Sequence, residues 1–248
     1  MRYAEVIPAV FRERPNRFIA QVDTASGPMT VHVKNTGRCR ELLVPGAQVY
    51  IALGHNPGRR TPGDLIAVQK GDYLINMDSQ APNRVAAEAL AQGLLLPGME
   101  APASLIRPEV QSGDSRLDFY IQWRSGPGTA LPPPAGISLP EGCGQGFIEV
   151  KGVTLEREGA VFFPDAPTQR GVKHIHRLAE LARAGYGTFV LFVVQMSPAA
   201  YLAPNDETHP AFGEALREAA AAGVRVAAYD CRVEPDSLEL GRPVEVRL

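Results

Sequence analysis

The stretch FIEVKGVTL, residues 147–155, has the composition of a buried β-strand but carries two charges. Apolar residues fill most of its positions, as in the interior of a sheet, yet Glu149 and Lys151 interrupt them. Because side chains alternate along a strand, these two charged groups point to the same side. An acid and an amine on one face of an apolar strand predict either an internal salt bridge or a chemical site.

A second acid interrupts another apolar strand upstream. Asp118 lies in SRLDF, 31 residues before Glu149, and a β-hairpin would place the two carboxylates side by side. Two buried carboxylates repel each other, and a divalent cation between them removes the repulsion. With neither His nor Cys among these residues, Mg²⁺ or Mn²⁺ suits the site better than zinc.

We therefore predict a metal-dependent phosphodiester site. Asp118 and Glu149 would hold the metal with the carbonyl of Val150, and Lys151 would orient the attacking water. The alternative is an internal salt bridge of Asp118 and Lys151, with Arg116 added, that only holds the sheet together.

Glu88 is a further candidate ligand and catalytic acid. It lies in the middle of VAAEALAQG, which predicts a helix from Arg84 to about Leu95. Its carboxylate could reach the metal from this helix, directly or through water, or it could be an ordinary surface glutamate.

The segment APTQRGVKHIHRLAEL predicts an amphipathic helix from about Gln169 to Ala184. Arg170, Lys173 and His174 cluster in its first turns, where the helix dipole already favours anions. Cations at that end make sense if a phosphate docks there, although a solvated basic face is the alternative. We do not expect zinc at His174 and His176, because residues two apart on a helix do not face each other.

The first 82 residues predict a small all-β unit. Five short alternating or apolar runs are separated by Gly, Pro and Asn, which is typical of an OB-like barrel, with an SH3-like barrel as the alternative. The runs are RFIAQVD (17–23), MTVHVKN (29–35), AQVYIAL (47–53), DLIAVQK (64–70) and DYLIN (72–76). Two basic segments, FRERPNRF and KNTGRCR, supply candidate phosphate contacts. These are Arg12, Arg14, Arg17, Asn35, Thr36 and Arg38.

Residues 83–248 predict a mixed α/β unit. The apolar runs follow the order α-β-β-α-β-α-β, so the whole chain is of the α/β (α+β) class. A segment between the two charged strands, residues 125–146, contains 11 Gly or Pro among 22 residues. We expect it to be a mobile insert, with a DNA-touching flap as the alternative.

Charge and cysteine content narrow the classes of function. Residues 1–84 contain 11 Lys or Arg and 7 Asp or Glu, whereas the rest contains 14 and 20, which fits a nucleic-acid-binding unit joined to an acidic site. Three widely spaced cysteines form no CxxC pair and predict free thiols. No run is apolar enough for a membrane span or a signal peptide, so we expect a cytoplasmic protein without a membrane partner.

Six motifs in order along the chain resemble the sugar fermentation stimulation protein (SfsA) family. They are RPNRF, KNTGRCRELLVPG, SRLDF, EVKGVTL, FPDAPTQRGVKH and AAGVRVAAYDC, and the resemblance runs from about Val10 to Cys231. The resemblance implies an OB-like barrel followed by a domain similar to PD-(D/E)xK nucleases. It also implies DNA binding and a regulatory link to sugar (maltose) metabolism. We expect DNA as the partner, with RNA as the alternative.

Carried over by motif, the resemblance implies that Asp118, Glu149 and Lys151 form the nuclease-like site, with Glu88 as the helix acid. Leu117 stands where such nucleases often have proline before the aspartate. Neither the family nor the motif implies by itself that the chain cleaves nucleic acid.

Overall fold

The computed structural model describes residues 1–35, 37, 39–54, 56, 58–125 and 130–248. Its amino-terminal part is a β-barrel. Its strands pair in the order β3-β2-β1-β4-β5-β6, and a parallel pairing of β3 with β5 closes the first five into a ring. The strands are β1 (Val6–Asn16), β2 (Ile19–Thr24), β3 (Gly27–Val33), β4 (Gln48–Leu53), β5 (Gly63–Lys70) and β6 (Tyr73–Asn76). The expected OB-like barrel is confirmed.

Strand β1 is the main difference from the expected barrel. The sequence FRERPNRF was interpreted as a basic segment, yet residues 11–16 continue a strand that pairs with both β2 and β4. Pro8 and the run of charges hide the strand, since proline and exposed charge disfavour a central position in a sheet. Arg12 and Arg14 therefore project from a strand and not from a loop.

The second part is a nine-stranded mixed sheet with three helices. The sheet runs β10-β11-β13-β15-β14-β12-β9-β8-β7, and β9 pairs parallel with β12 and antiparallel with β8. The helices are α1 (Ala81–Ala91), α2 (Gln169–Arg183) and α3 (Pro210–Ala221). The strands are β7 (Ala103–Ser112), β8 (Ser115–Arg124), β9 (Cys143–Val153), β10 (Leu155–Arg157), β11 (Ala160–Phe163), β12 (Gly187–Val194), β13 (Tyr201–Pro204), β14 (Arg225–Glu234) and β15 (Ser237–Val246).

The predicted order of elements holds, but β7, β10, β11, β13 and β15 were not predicted. Helix α1 begins earlier than expected, with Pro82 in its first turn, where a missing amide hydrogen costs nothing. None of the described helices is long and apolar enough to cross a membrane.

The helices cover the two faces of the large sheet. Helix α1 packs Val85 and Leu90 against Ile148 and Val150, whereas α2 and α3 pack on the other face. Burying each such side chain contributes about 1.5–3 kcal/mol to stability. The hydrophobic cluster under α2 and α3 continues into the barrel interior, so the division of the chain at residues 82 and 83 stays a prediction.

A polar contact joins the barrel to the sheet. The Asn76 amide donates to the Gln195 carbonyl over 2.9 Å, and the Gln195 side chain donates to Asn76 Oδ1 over 2.9 Å. Both residues are buried, so this paired contact fixes the two parts against each other.

The Pro/Gly-rich insert is partly held on the sheet. Residues 126–129 lie outside the described residues, and residues 143–146 belong to β9. Between them, Gln145 donates to the Leu131 carbonyl, Tyr186 to Pro132 and Gln122 to Ser138, each over 2.7–2.8 Å. These hydrogen bonds hold the described part of the segment on the sheet, and its expected mobility stays a prediction.

Candidate metal centre and nucleic-acid interface

The two acids predicted to face each other do so. Strands β8 and β9 pair antiparallel up to Phe119 and Ile148, and Asp118 and Glu149 follow one residue beyond that pair. The strands diverge there, and the carboxylate of Asp118 replaces a backbone acceptor by taking the Val150 amide hydrogen over 2.8 Å. Asp118 and Glu149 therefore lie opposite each other on neighbouring strands, at the end of the paired region.

Asp118 is held from two sides. Its Oδ2 atom accepts from Val150, and its Oδ1 atom accepts from the Asn83 side chain of α1 over 2.8 Å. Burial raises the pKa of Asp118 above its ordinary value, and the nearby charge of Glu149 raises it further, against the effect of the two hydrogen bonds.

Glu149 is 3% exposed, and its two oxygens differ. The Oε1 atom accepts from Lys151 over 2.6 Å and lies 2.5 Å from His174 Nδ1. Burial acts to raise the pKa of Glu149, but the hydrogen bond from His174 and the charge of Lys151 outweigh it, so the pKa lies below its ordinary value. The Oε2 atom is buried and has no hydrogen-bond partner among the described residues.

An orphaned carboxylate oxygen of this kind is rare in a protein interior and calls for a cation or water. The described residues include no group of three His, Cys, Asp or Glu side chains placed to hold a metal by themselves. Two carboxylates beside each other still match Mg²⁺, which usually takes one or two protein carboxylates and keeps several waters. The residues present therefore fit a hydrated Mg²⁺ or Mn²⁺ ion.

The structure does not bring Glu88 to this site, which corrects its assignment. The Glu88 carboxylate lies 2.6 Å from the Met1 amino group, beside Leu238, and is 45% exposed. Glu88 and Asn83 are five residues apart on α1 and so project in different directions. Asn83, which was not predicted, is the α1 residue that contacts Asp118.

His174 also differs from its assignment as a phosphate contact. It is 5% exposed, and its Nδ1 atom faces Glu149 while its Nε2 atom accepts from Arg170 over 3.4 Å. This arrangement puts the proton of the neutral ring on Nδ1. Helical spacing was the missed signal, because His174 lies four residues before the buried Leu178.

The remaining basic residues near α2 lie at the surface. Lys173 pairs with Asp114 over 2.8 Å, and Arg116 lies 3.6 Å from Glu109. Lys173, Arg116 and Arg170 line one open cleft beside His174. The alternative salt bridge of Asp118, Lys151 and Arg116 does not form, since Lys151 binds Glu149 instead.

In the barrel, Arg14 and Asn35, which were predicted to contact phosphate, instead hold the loop after β3 in place. Arg14 donates to the carbonyls of Arg17, Asn35 and Gly37, over 2.7, 2.8 and 3.1 Å. Asn35 donates to the Met77 carbonyl and accepts from the Gly37 amide. Both side chains are therefore positioning groups for this loop.

The other barrel candidates are more open. Arg12 is exposed and pairs with Asp23 over 3.2 Å, and Arg17 is exposed at the turn between β1 and β2. Arg17 lines a cleft of about 520 Å³ between the barrel and the sheet. Thr36 and Arg38 lie outside the described residues.

The comparison with family models decides the identity of the chain. Residues 13–77 match a model described as the SfsA N-terminal OB domain, and residues 80–237 match one described as the sugar fermentation stimulation protein RE domain. The chain belongs to the sugar fermentation stimulation protein family. Fold, element order and motifs agree with this assignment.

Full-length relatives and a solved structure agree with the family. The sugar fermentation stimulation protein homologs of Ruminiclostridium cellulolyticum and Alkaliphilus oremlandii are 44% and 46% identical and are matched over 100% and 98% of their own lengths, with 100% and 99% of this chain covered. A structure described as that of Pyrococcus furiosus SfsA in complex with Ca²⁺ matches all of this chain and 98% of its own, with a TM-score of 0.82 and 25% identity.

Proposed function

We propose that this SfsA-family chain hydrolyses phosphodiester bonds in nucleic acid with the help of Mg²⁺ or Mn²⁺. The observation that carries the proposal is Glu149 Oε2, a buried carboxylate oxygen without a partner among the described residues, beside a second, half-buried acid. A purely structural salt bridge would use both oxygens or expose the second to water.

The metal would be held by Asp118 and Glu149, with the Val150 carbonyl as a third oxygen. When bound, it would supply Lewis acidity and a water of lowered pKa. The relative from Pyrococcus furiosus is described with Ca²⁺, which like Mg²⁺ prefers oxygen ligands, and this supports a hard cation in the family fold.

The chain's own residues would prepare the site in three ways. Asn83 and the Val150 amide fix the Asp118 carboxylate through its two oxygens. His174 and Lys151 hold Glu149 by the same oxygen, which leaves Oε2 available. Lys151, whose side chain is 13% exposed, would place a positive charge beside the developing charge of a phosphoryl group.

Nucleic acid, DNA or RNA, would be held by the exposed cations on both sides of this site. Arg170, Lys173 and Arg116 line the cleft beside α2, and Arg17 lines the other cleft, between the barrel and the sheet. Contacts of this type are independent of sequence and weaken steeply with salt.

A cleavage assay tests the proposal. Purified protein with Mg²⁺ or Mn²⁺ is incubated with single-stranded, duplex and branched DNA and with RNA, and we expect cleavage of at least one of them that EDTA stops. Glu149→Gln should abolish cleavage, whereas Glu88→Gln, the same change outside the site, should leave it intact. No cleavage of any substrate, or cleavage that survives Glu149→Gln, would contradict the proposal.

A second function is favoured by one observation, the ion pair of Lys151 with Glu149, which neutralises the charge of the carboxylate without metal. The chain would then be a non-catalytic DNA-binding regulator of sugar (maltose) metabolism genes that keeps the fold as a scaffold. In that case DNA binding would weaken with salt and on Arg17→Ala but be unchanged by metal and by Glu149→Gln.

A further inference from the structure

The cleft between the barrel and the large sheet has the size of a small-molecule site. Its volume of about 520 Å³ falls within the range of about 300–1,000 Å³ typical of ligand pockets. One wall comes from the barrel, with Arg17 and Ser79, and the other from the sheet and from the segment of residues 163–168 that leads into α2. Neither the metal centre nor the basic surface beside α2 explains this cleft.

Two polar atoms of largely buried residues are open to the cleft, the side-chain oxygens of Gln195 and Thr154. Gln195 is 2% exposed, and its nitrogen donates to Asn76 and to the Asp78 carbonyl, which locks the amide; its Oε1 atom accepts nothing from the described residues. Thr154 is 8% exposed and lines the cleft, and its hydroxyl makes no hydrogen bond to the residues that the structure describes. Groups held in place and left open are typical of positions that a ligand completes.

A glycine keeps this part of the cleft open. A Cβ atom on Gly152 would lie 2.6 Å from Gln195 Oε1 and 2.6 Å from the Pro82 ring. Any side chain at residue 152 would therefore cover the amide oxygen.

The remaining walls suit a flat, partly apolar ligand. Phe163 is half-buried, and its ring is fixed by edge contacts with Phe192 and Phe212 at 5.6 and 5.0 Å. Pro164 and Pro167 add apolar surface, while Arg17 places a cation at the barrel side. An aromatic ring, fixed amide and hydroxyl groups and a nearby cation together match a nucleobase joined to a phosphate.

Two segments of the chain connect the cleft with the candidate metal centre. Thr154 follows Lys151 by three residues, which is about 10 Å along an extended chain. Thr168 lines the cleft and caps α2, accepting from the Gly171 amide over 3.0 Å, and the same helix carries His174 to Glu149. A nucleic-acid strand with a phosphate at the metal centre would therefore have a neighbouring base within reach of the cleft.

We propose that this cleft binds one unstacked nucleobase of a nucleic-acid strand that lies across the metal centre. The inference rests on the proposed function and names its substrate class: a strand that is unpaired, or opened, at the nucleotide next to the cleft. Gln195 Oε1 accepts from an amino or imino group of the base, Thr154 bonds its edge, and Phe163 contacts its face.

The experiment measures binding without turnover. Fluorescence anisotropy in EDTA compares a short single-stranded oligonucleotide with a strand of equal length and charge made only of abasic sugar-phosphate units. For the unmodified protein we expect about tenfold or more tighter binding of the strand that carries bases. Thr154→Val should reduce this preference about fivefold, and Ala166→Trp, which fills the cleft from a half-exposed position, should abolish it.

Thr188→Val is the matched control. Thr188 is also buried, and its hydroxyl has no partner among the described residues, but it does not line the cleft. It should keep the full preference for bases. Circular dichroism of each variant shows whether it is folded.

Three results would overturn the inference. They are equal affinity of the unmodified protein for both strands, a preference that survives Ala166→Trp, and tighter binding of a free nucleoside monophosphate than of the strand. Cleavage in Mn²⁺ without any preference for bases would refute only the base-binding role of the cleft. Base-dependent binding without cleavage would refute only the proposed nuclease function.

Discussion

Replacing Asp118 by Asn should stabilise the metal-free protein, because the half-buried Asp118 carboxylate lies close to the buried carboxylate of Glu149. The two acids lie one residue beyond the last paired residues of β8 and β9. Two unit charges about 6 Å apart repel by about 3 kcal/mol at an effective dielectric constant of about 20. Lys151 offsets part of this repulsion, and the carboxylate makes stronger hydrogen bonds with Asn83 and Val150 than an amide would. We expect a net gain of about 1 kcal/mol, which raises Tm by about 2–4 °C for a chain of this size.

The gain should depend on pH in a direction that the raised pKa of Asp118 fixes. Between the ordinary value of 3.8 and its higher folded value, the folded protein binds more protons at this group than the unfolded chain does. Stability therefore falls as pH rises through this window, and the loss is complete above the folded pKa. The advantage of Asp118→Asn should be full at neutral pH and shrink as pH approaches 3.8.

Thermal unfolding in EDTA, followed by circular dichroism at several pH values, measures this difference. Asp114→Asn is the control, since Asp114 is 79% exposed and should shift stability by no more than about 0.5 kcal/mol. A lower Tm for Asp118→Asn at neutral pH would refute the reasoning. It would mean that the carboxylate serves mainly as an acceptor for the Val150 amide and is not under electrostatic strain.

Further predictions concern residues that the structure places outside the acid pair. Glu88→Gln should leave Mn²⁺ affinity unchanged, as measured by calorimetry, because the carboxylate lies with the Met1 amino group. Arg14→Ala should lower the free energy of urea unfolding by about 1–3 kcal/mol, since it leaves backbone carbonyls without a donor, whereas Arg17→Ala should leave stability intact and reduce the salt slope of DNA binding by about 1. Asp64→Asn should lower the free energy of unfolding by about 3 kcal/mol, because this buried carboxylate pairs with Lys34 and Arg59. These partners lower the pKa of Asp64 against the effect of burial. The stabilisation by the Asp64 carboxylate is therefore fully present above pH 3.8 and is lost as pH falls below it.

The sequence predicted the parts of the fold whose pattern is local. Strand β9 and helix α2 were found from apolar periodicity, and the barrel from its short runs and turn residues. Strand β1 was missed because Pro8 and a run of charges resemble a loop, although β1 is central in the barrel. Its identity depends on pairing with β4, which no local pattern carries.

The same distinction holds for the candidate site. The adjacency of Asp118 and Glu149 followed from two interrupted strands, whereas the choice between Glu88 and Asn83 depends on which side of α1 faces the sheet. That orientation is set by packing on Ile148 and Val150 and is not visible in the helix alone. His174 was assigned by its charge, although its spacing from Leu178 placed it on the buried side.

Calorimetric titration of Mn²⁺ into the unmodified protein and into Asp118→Asn tests the central claim most directly. The account predicts one saturable site in the unmodified protein, because a cation would pair with Glu149 Oε2 and relieve the repulsion between Asp118 and Glu149. It predicts the loss of that site in the variant. An unmodified protein that binds no Mn²⁺, or a variant that binds it equally well, would contradict the account.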